Sequence, residues 1–147
     1  MEPLKVEITK VRDGIDLPTY AHEGDSGLDL RAAEDITLAP FERVIVPCGF
    51  SIAIPVGYGG FVLPRSGLAS KKGITVANAP GLIDSGYRGE VMVALINLNA
   101  EETFRAKKGE RIAQLVIMPT PPVSLAQVEE LEETQRGVGG FGSSGTL

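Results

Sequence analysis

Val91-Met-Val-Ala-Leu-Ile-Asn-Leu98 is one of several short runs in this chain that are rich in valine and isoleucine. Similar runs occupy residues 4–8, 43–46, 51–54, 60–63 and 112–118, and in the first of them every second residue is apolar. Eighteen glycines and ten prolines punctuate these runs at close spacing. Many short strands separated by turn residues are typical of a sandwich or barrel. The pattern therefore predicts an all-β fold.

Two stretches depart from this pattern. Residues 66–72 (Ser-Gly-Leu-Ala-Ser-Lys-Lys) predict a short helix, with Ser66 as its N-cap. Residues 125–133 have a helix-forming composition and periodicity, and the alternative is a strand.

Length and composition bound the kind of protein. A chain of 147 residues with 43% hydrophobic residues predicts one globular domain. No apolar run approaches the ~20 residues of a membrane span, and the N-terminus lacks an apolar signal core, so we expect a cytoplasmic protein without membrane contact. The only cysteine, Cys48, lies between apolar runs and is expected to be buried rather than nucleophilic. The single histidine, His22, precedes a Gly-Asp turn and is expected in a solvated loop.

Charge narrows the choice of ligand. The formal net charge of −5 argues against direct nucleic-acid binding, which needs a basic face. A few local arginines can still bind a small anion.

The first candidate site is Pro64-Arg-Ser-Gly67, where a strand ends and the predicted helix begins. Free N–H groups at a helix start attract anions, and Arg65 and Ser66 add a guanidinium and a hydroxyl. The plainer interpretation is a helix cap beside a surface arginine.

The second candidate spans residues 78–92 and is interpreted as a hairpin with a turn at Ser85-Gly86. Asp84 at the bend is able to orient and deprotonate a water, although aspartate is also a common turn residue. Tyr87 offers a flat ring against which a sugar is able to pack. The plainer interpretation is that the ring only covers the hairpin.

Two further polar residues occur in alternating stretches. Asp29, between Leu28 and Leu30, is expected to point away from them, toward a metal, a phosphate-bound water or simply solvent. Alternation along residues 109–116 places Gln114 on an apolar face with Ile112, where an amide needs a partner.

The last eleven residues, Gly137-Val-Gly-Gly-Phe-Gly-Ser-Ser-Gly-Thr-Leu147, form a fifth candidate. A segment with so few apolar side chains is expected to be disordered as a plain tail. With Arg136 it also holds a cation, a ring, two hydroxyls and unobstructed N–H groups, which suit a phosphate and a base.

Taken together, these segments resemble the trimeric dUTPases (deoxyuridine 5′-triphosphate nucleotidohydrolases), whose five short motifs stand here in the family's order. They are Asp25-Ser-Gly-Leu-Asp-Leu30, Pro64-Arg-Ser-Gly67, Gly81-Leu-Ile-Asp-Ser-Gly-Tyr-Arg-Gly89, Gly109-Glu-Arg-Ile-Ala-Gln114 and Arg136-Gly-Val-Gly-Gly-Phe-Gly-Ser-Ser-Gly145.

The resemblance implies a distorted jelly-roll or β-barrel subunit with one short helix and a flexible glycine-rich arm. It implies a core over residues 1–135 and an arm over 136–147 that closes an active site. A homotrimer with sites at subunit junctions follows from it, and so does a strand over residues 123–131.

The resemblance also implies an enzyme, a dUTP diphosphatase. It would hydrolyse dUTP to dUMP and diphosphate by attack of a water at the α-phosphorus, limiting uracil in DNA and supplying dUMP for dTTP synthesis. Asp84 is implied to activate the water, and Asp29 to meet the cofactor Mg²⁺ through waters, while the substrate phosphates hold most of the ion.

The remaining implied roles concern substrate binding. Residues implied at the nucleoside are Asn78, Leu82, Ile83, Tyr87, Met92 and Phe141, with Tyr87 under the deoxyribose and Phe141 on the uracil. Gly81 and Asp84 are also implied to bind the substrate. Residues implied at the phosphates are Arg65, Ser66, Gly67, Gln114, Arg136, Ser143 and Ser144, and Gly142 lies among the tail contacts.

Three other interpretations remain. The dCTP deaminase branch of the same fold lacks this tail and uses a glutamate after its phosphate turn, where residues 66–70 offer no acid. A non-catalytic nucleotide-binding trimer is expected to have lost Asp84 or the tail. A purely structural trimer leaves Arg136 and Phe141 unexplained.

Overall fold

Ten β-strands and one short helix make up the chain in a computed structural model that describes residues 1–147. In chain order they are β1 (Glu7–Lys10), β2 (Leu28–Arg31), β3 (Ile36–Leu38), β4 (Arg43–Ala53), β5 (Tyr58–Leu63), α1 (Ser66–Lys72), β6 (Ile74–Val76), β7 (Gly81–Ile83), β8 (Glu90–Asn97), β9 (Phe104–Ala106) and β10 (Arg111–Pro119). The predicted all-β class with one short helix is confirmed.

The strands form two four-stranded sheets and one two-stranded sheet. Their orders are β1-β4-β8-β6, β2-β10-β5-β7 and β3-β9, and every pairing is antiparallel. A cluster of 21 buried hydrophobic residues forms the core, with Phe50, Leu30 and Leu95 among the fully buried side chains. Along β8 the buried residues Val91, Val93 and Leu95 alternate with more exposed ones, as the pleat of a strand requires.

Two details differ from the sequence-based expectations. The alternating run at residues 4–8 does not form a strand as a whole: β1 begins at Glu7, lies at a sheet edge, and has all its residues exposed. The cap of α1 is Arg65, in extended conformation, and no side chain caps the helix. Ser66 is therefore the first helical residue, and its prediction as N-cap was wrong by one position.

The segment after β10 forms no strand, so the strand expected over residues 123–131 is absent. Val123, Leu125 and Leu131 are 78%, 93% and 87% exposed. The physical reason is that a strand needs a neighbour for its backbone groups, and this segment has no sheet partner within its own chain. Residues 121–138 are all exposed. The single helix, α1, is neither long nor apolar enough to cross a membrane.

Candidate active site

Five of the predicted residues line one open cavity of about 370 Å³. They are Asp29, Arg65, Ser66, Gly67 and Gln114. Strand pairing explains why they meet: Gln114 of β10 pairs with Asp29 of β2 on one side and with Leu63 of β5 on the other. The turn that follows Leu63 carries Arg65 and the start of α1 to the same place. We call this cavity the arginine cavity.

Asp29 is buried in the arginine cavity, at 9% exposure, so the solvent-facing alternative for it was wrong. Its carboxylate lies 3.4 Å from Nη1 of Arg111 and 3.8 Å from Nε of Arg65. Arg65 also donates from Nη1 to the Arg111 carbonyl at 3.2 Å. Asp25 also lines the cavity, so the two guanidinium groups balance two carboxylates, and Arg65 and Arg111 are the donors that suit an anionic ligand.

Arg111 is a candidate that the sequence-based assignments left out. Alternation along β10 gave it no special role, and its partner Asp29 is 82 positions away in the chain. The pairing of β10 with β2 shifts register between Arg111 and Ala113, so Ile112 is buried in the core instead of sharing the Gln114 face. The partner predicted for Gln114 is present: its Nε2 donates to the Pro64 carbonyl at 3.0 Å.

Asp84 lies on a loop that joins the two large sheets. β7 pairs with β5, whereas β8 pairs with β4 and β6, so the two arms predicted as a hairpin do not pair with each other. We call residues 84–89 the Asp84 loop. Within it, the Tyr87 N–H donates to the Asp84 carbonyl at 3.1 Å, and Arg88 Nη1 donates to the carbonyls of Ser85 at 2.7 Å and Tyr87 at 2.9 Å.

Asp84 is exposed and lines a second cavity of about 300 Å³ with Leu82, Ser85 and the segment 56–59. Alternation along β7 turns Leu82 outward and buries Gly81 and Ile83, so Ile83 has only its backbone to offer a ligand there. Asn78 and Met92 are exposed but line neither cavity.

The two cavities lie toward opposite ends of β5. Ile83 pairs with Gly60 near the start of β5, and Asp84 continues beyond it, while Arg65 follows Leu63 at the other end. At about 3.3 Å per residue, this offset separates Asp84 from Arg65 by about 15–20 Å. One chain thus does not bring the predicted catalytic aspartate to the arginine cavity.

The C-terminal arm contacts neither cavity in its own chain. Phe141 is fully exposed, and each hydrogen bond formed by residues 136–145 stays within residues 134–145. Arg136 donates from Nε to the Gly139 carbonyl at 2.9 Å, and the Ser143 N–H donates to the Gly140 carbonyl at 3.0 Å. Phe141, Gly142, Ser143 and Ser144 therefore present their polar and aromatic groups to solvent.

An all-β subunit with an arginine-lined cavity and an exposed aspartate loop defines a protein of the anion-binding kind, which fits a nucleotide phosphate. A family model described as dUTPase matches residues 13–145. By this match the chain belongs to the dUTPase family.

Two relatives in sequence carry the same name. The deoxyuridine 5′-triphosphate nucleotidohydrolase of Thermobifida fusca (strain YX) is 49% identical over 142 residues, covering 97% of this chain and 79% of that protein. The protein of the same name from Hydrogenobaculum sp. (strain Y04AAS1) is 51% identical over 143 residues, covering 97% and 99%.

Solved structures give the same result. The dUTPase of Staphylococcus bacteriophage 80alpha with dUpNHpp matches with a TM-score of 0.89 and 32% identity, over 97% of this chain and 99% of that one. A mutant dUTPase from phage phi11 of S. aureus, described with a coordinated structural Mg(II) ion, matches with a TM-score of 0.81 and 26% identity, over 88% and 100%.

Proposed function

We propose that this chain is a dUTP diphosphatase that hydrolyses dUTP to dUMP and diphosphate. The observation that carries the proposal is the pair of arginines held by buried Asp29, in one cavity with Ser66 and Gln114, on a chain whose relatives are named dUTP nucleotidohydrolases. Phosphoryl transfer depends mainly on positioning and charge stabilisation. The arginine cavity supplies both to the phosphates.

In this mechanism Asp84 holds and deprotonates the water that attacks the α-phosphorus. Asp84 is exposed on its loop, so its carboxylate is free to accept a hydrogen bond from a water. The bond from this oxygen to phosphorus forms as the bond to the bridging oxygen of the diphosphate breaks. Arg65 and Arg111 stabilise the negative charge of the phosphates as it moves onto the leaving group, and Gln114 helps to orient them.

The active site is assembled from more than one subunit in a homotrimer. The separation of Asp84 from the arginine cavity along β5 supports this, because the reacting phosphorus has to meet groups from both places. The unpaired apolar side chains of residues 123–131 support it too, since they have no cover within their own chain.

The nucleoside is read beside the Asp84 loop. Asn78, Leu82, Ile83 and Met92 surround the base and sugar, with Ile83 contributing its backbone. Tyr87 packs against the deoxyribose and leaves no room for a 2′-hydroxyl, and buried groups left unpaired by a wrong base add discrimination.

Residues 136–147 form an arm that closes over the bound nucleotide. Phe141 stacks on the uracil, and Arg136, Ser143 and Ser144 reach the terminal phosphates. This proposal is supported because Phe141 is fully exposed and Arg136 bonds only within the arm. These groups therefore have no contact with the core to give up when they bind a nucleotide. Residues 1–135 then form the core, and the arm closes over the active site of this core.

A Mg²⁺ ion fits this site only as an ion carried by the substrate. The structure has no cluster of three or more histidine, cysteine or acidic side chains that could hold a metal. Mg²⁺ usually keeps several waters and binds substrate phosphates, which one carboxylate such as Asp29 can contact through water. The bound ion would reduce the negative charge of the triphosphate.

The decisive experiment measures diphosphate release from dUTP, dCTP, dTTP and UTP with Mg²⁺, together with ammonia release from dCTP. We expect diphosphate release from dUTP far above that from the other nucleotides, and activity lost with EDTA and restored by Mg²⁺. Ammonia without diphosphate would instead assign the chain to the deaminase branch.

A further inference from the structure

Arg12 and Glu90 form a two-point ion pair that the proposed mechanism does not use. Arg12 Nε lies 2.5 Å from Oε1 of Glu90, and Arg12 Nη2 lies 3.0 Å from Oε2. The side chain of Glu90 is only 14% exposed. Two hydrogen bonds from one guanidinium to both oxygens of one carboxylate fix the orientation of both groups as well as their distance.

A third group holds the same carboxylate. The Gly49 N–H donates to Glu90 Oε1 at 3.0 Å. Gly49 has a φ of +81°, and a Cβ there would come within 2.9 Å of Ile15. It lies where the pairing of β4 with β8 shifts register, between Pro47 and Ser51. The irregular part of β4 thus turns a backbone donor toward Glu90.

The backbone of Glu90 in turn holds Tyr87. The Tyr87 hydroxyl donates to the Glu90 carbonyl at 2.9 Å. The ring lies over Gly89, where a Cβ would approach Tyr87 Cζ to 2.6 Å. The hydroxyl end of the ring is therefore bonded to the residue whose carboxylate is held by Arg12 and Gly49.

We propose that Arg12 and Glu90 are positioning residues that set the selectivity for deoxyribose over ribose by fixing the ring of Tyr87. This inference rests on the proposed function. The Tyr87 ring excludes a 2′-hydroxyl only if the ring is held in place, because a small displacement of the ring would relieve the clash. With Glu90 anchored at three points, its carbonyl keeps the Tyr87 hydroxyl in place, and the ring resists the 2′-hydroxyl.

The charge state of Glu90 is consistent with this role. The hydrogen bond from Arg12, aided by the charge of Arg12 and the Gly49 N–H, lowers the pKa of Glu90, against the opposing effect of burial. The carboxylate therefore remains ionised and bonded across the neutral pH range in which the enzyme would be assayed.

The test compares kcat/KM for dUTP and UTP in the full chain and in Arg12→Met, Glu90→Gln and the double variant. Arg105→Met is the matched control, because Arg105 also makes a side-chain hydrogen bond, to Thr37 on the two-stranded sheet. We expect the dUTP/UTP ratio to fall about tenfold in each single variant, with kcat for dUTP changing less. The double variant loses no more than either single one, since the two residues act as a pair.

Arg12→Lys keeps the charge but not the two-point geometry, and we expect it to recover only part of the ratio. It also decides the question if Arg12→Met fails to fold. An unchanged dUTP/UTP ratio in folded variants, even with a lowered melting temperature, would overturn the inference and leave the pair with a purely structural role. No hydrolysis of dUTP by the unaltered chain would overturn the proposed function itself, and this inference with it.

Discussion

Arg65 lies beyond the end of strand β5 and Asp84 lies near its start, because β7 runs antiparallel to β5 with Ile83 opposite Gly60. The pleated chain between them is stiff, so a closer approach of the two side chains within a subunit would require breaking the sheet. In the active site that we propose, these two groups therefore come from different subunits.

Two inactive variants should therefore restore each other. We expect Arg65→Ala and Asp84→Asn subunits, unfolded and refolded together in equal amounts, to yield activity in about a quarter of the sites. This fraction follows from random assembly, since one of four arrangements joins an intact Asp84 to an intact Arg65. Diphosphate release from dUTP measures it, with each variant refolded alone as the control. No recovered activity in mixed trimers would place both groups in one subunit.

Loss of the Asp84 carboxylate, which we propose to activate the water, should affect turnover more than binding. We expect Asp84→Asn to lower kcat about 10²–10⁴-fold while dUTP still binds, because the amide cannot take a proton from the water. Single-turnover kinetics and calorimetric titration with dUTP separate the two effects. Asp16→Asn is the control, since Asp16 is exposed and lies outside both cavities. An unchanged kcat in Asp84→Asn would contradict the assigned role.

Removal of residues 136–147 should leave the fold intact. These residues make no hydrogen bond to the sheets, so we expect an unchanged melting temperature and a severe loss of activity. Thermal unfolding and kcat/KM for dUTP give the two measurements. Phe141→Ala in the full chain serves as a milder variant with the same direction of change. A fully active truncated chain would contradict closure by the arm.

Cys48 should be unreactive in the folded protein and should weaken it at alkaline pH. Burial, aided by the nearby charge of Glu90, raises the pKa of the Cys48 thiol from 9.0 to about 12. Between these values the unfolded chain releases a proton that the folded chain keeps, so stability is complete below about pH 9 and falls as pH rises toward 12.

Urea unfolding at about pH 8 and about pH 10.5 tests this, with Cys48→Ala as the variant that lacks the effect. We expect the native chain to lose more stability than the variant between the two pH values. Iodoacetamide should label Cys48 in urea and not in buffer. Equal losses in both proteins would show that another group causes the alkaline weakening.

Sequence reasoning located the longer strands β5, β8 and β10 because alternation and turn residues act locally, but it gave no run for the three-residue strands β3, β6 and β9. It mispredicted the strand pairing around Asp84. An apolar strand shows the same alternation whether it pairs with the next strand in the sequence or with a distant one. It also gave no indication of the contacts of Arg111 with Asp29 or of Arg12 with Glu90, which are set by the register of distant strands. The strand expected at residues 123–131 needs a neighbour that its own chain does not provide.

The Asp84 loop begins at β7 in one large sheet and ends at β8 in the other. The distance between its two ends therefore depends on how the two sheets are packed. Asp84 directly follows β7 in one sheet, whereas the loop ends at β8 in the other, so the relative position of the two sheets affects the backbone around Asp84. A core substitution that shifts one sheet relative to the other by a fraction of an ångström changes the distance between the two ends of this loop. We therefore expect activity to decline in such variants while the protein is still fully folded. Turnover should then be more sensitive to changes in interior packing than the melting temperature is.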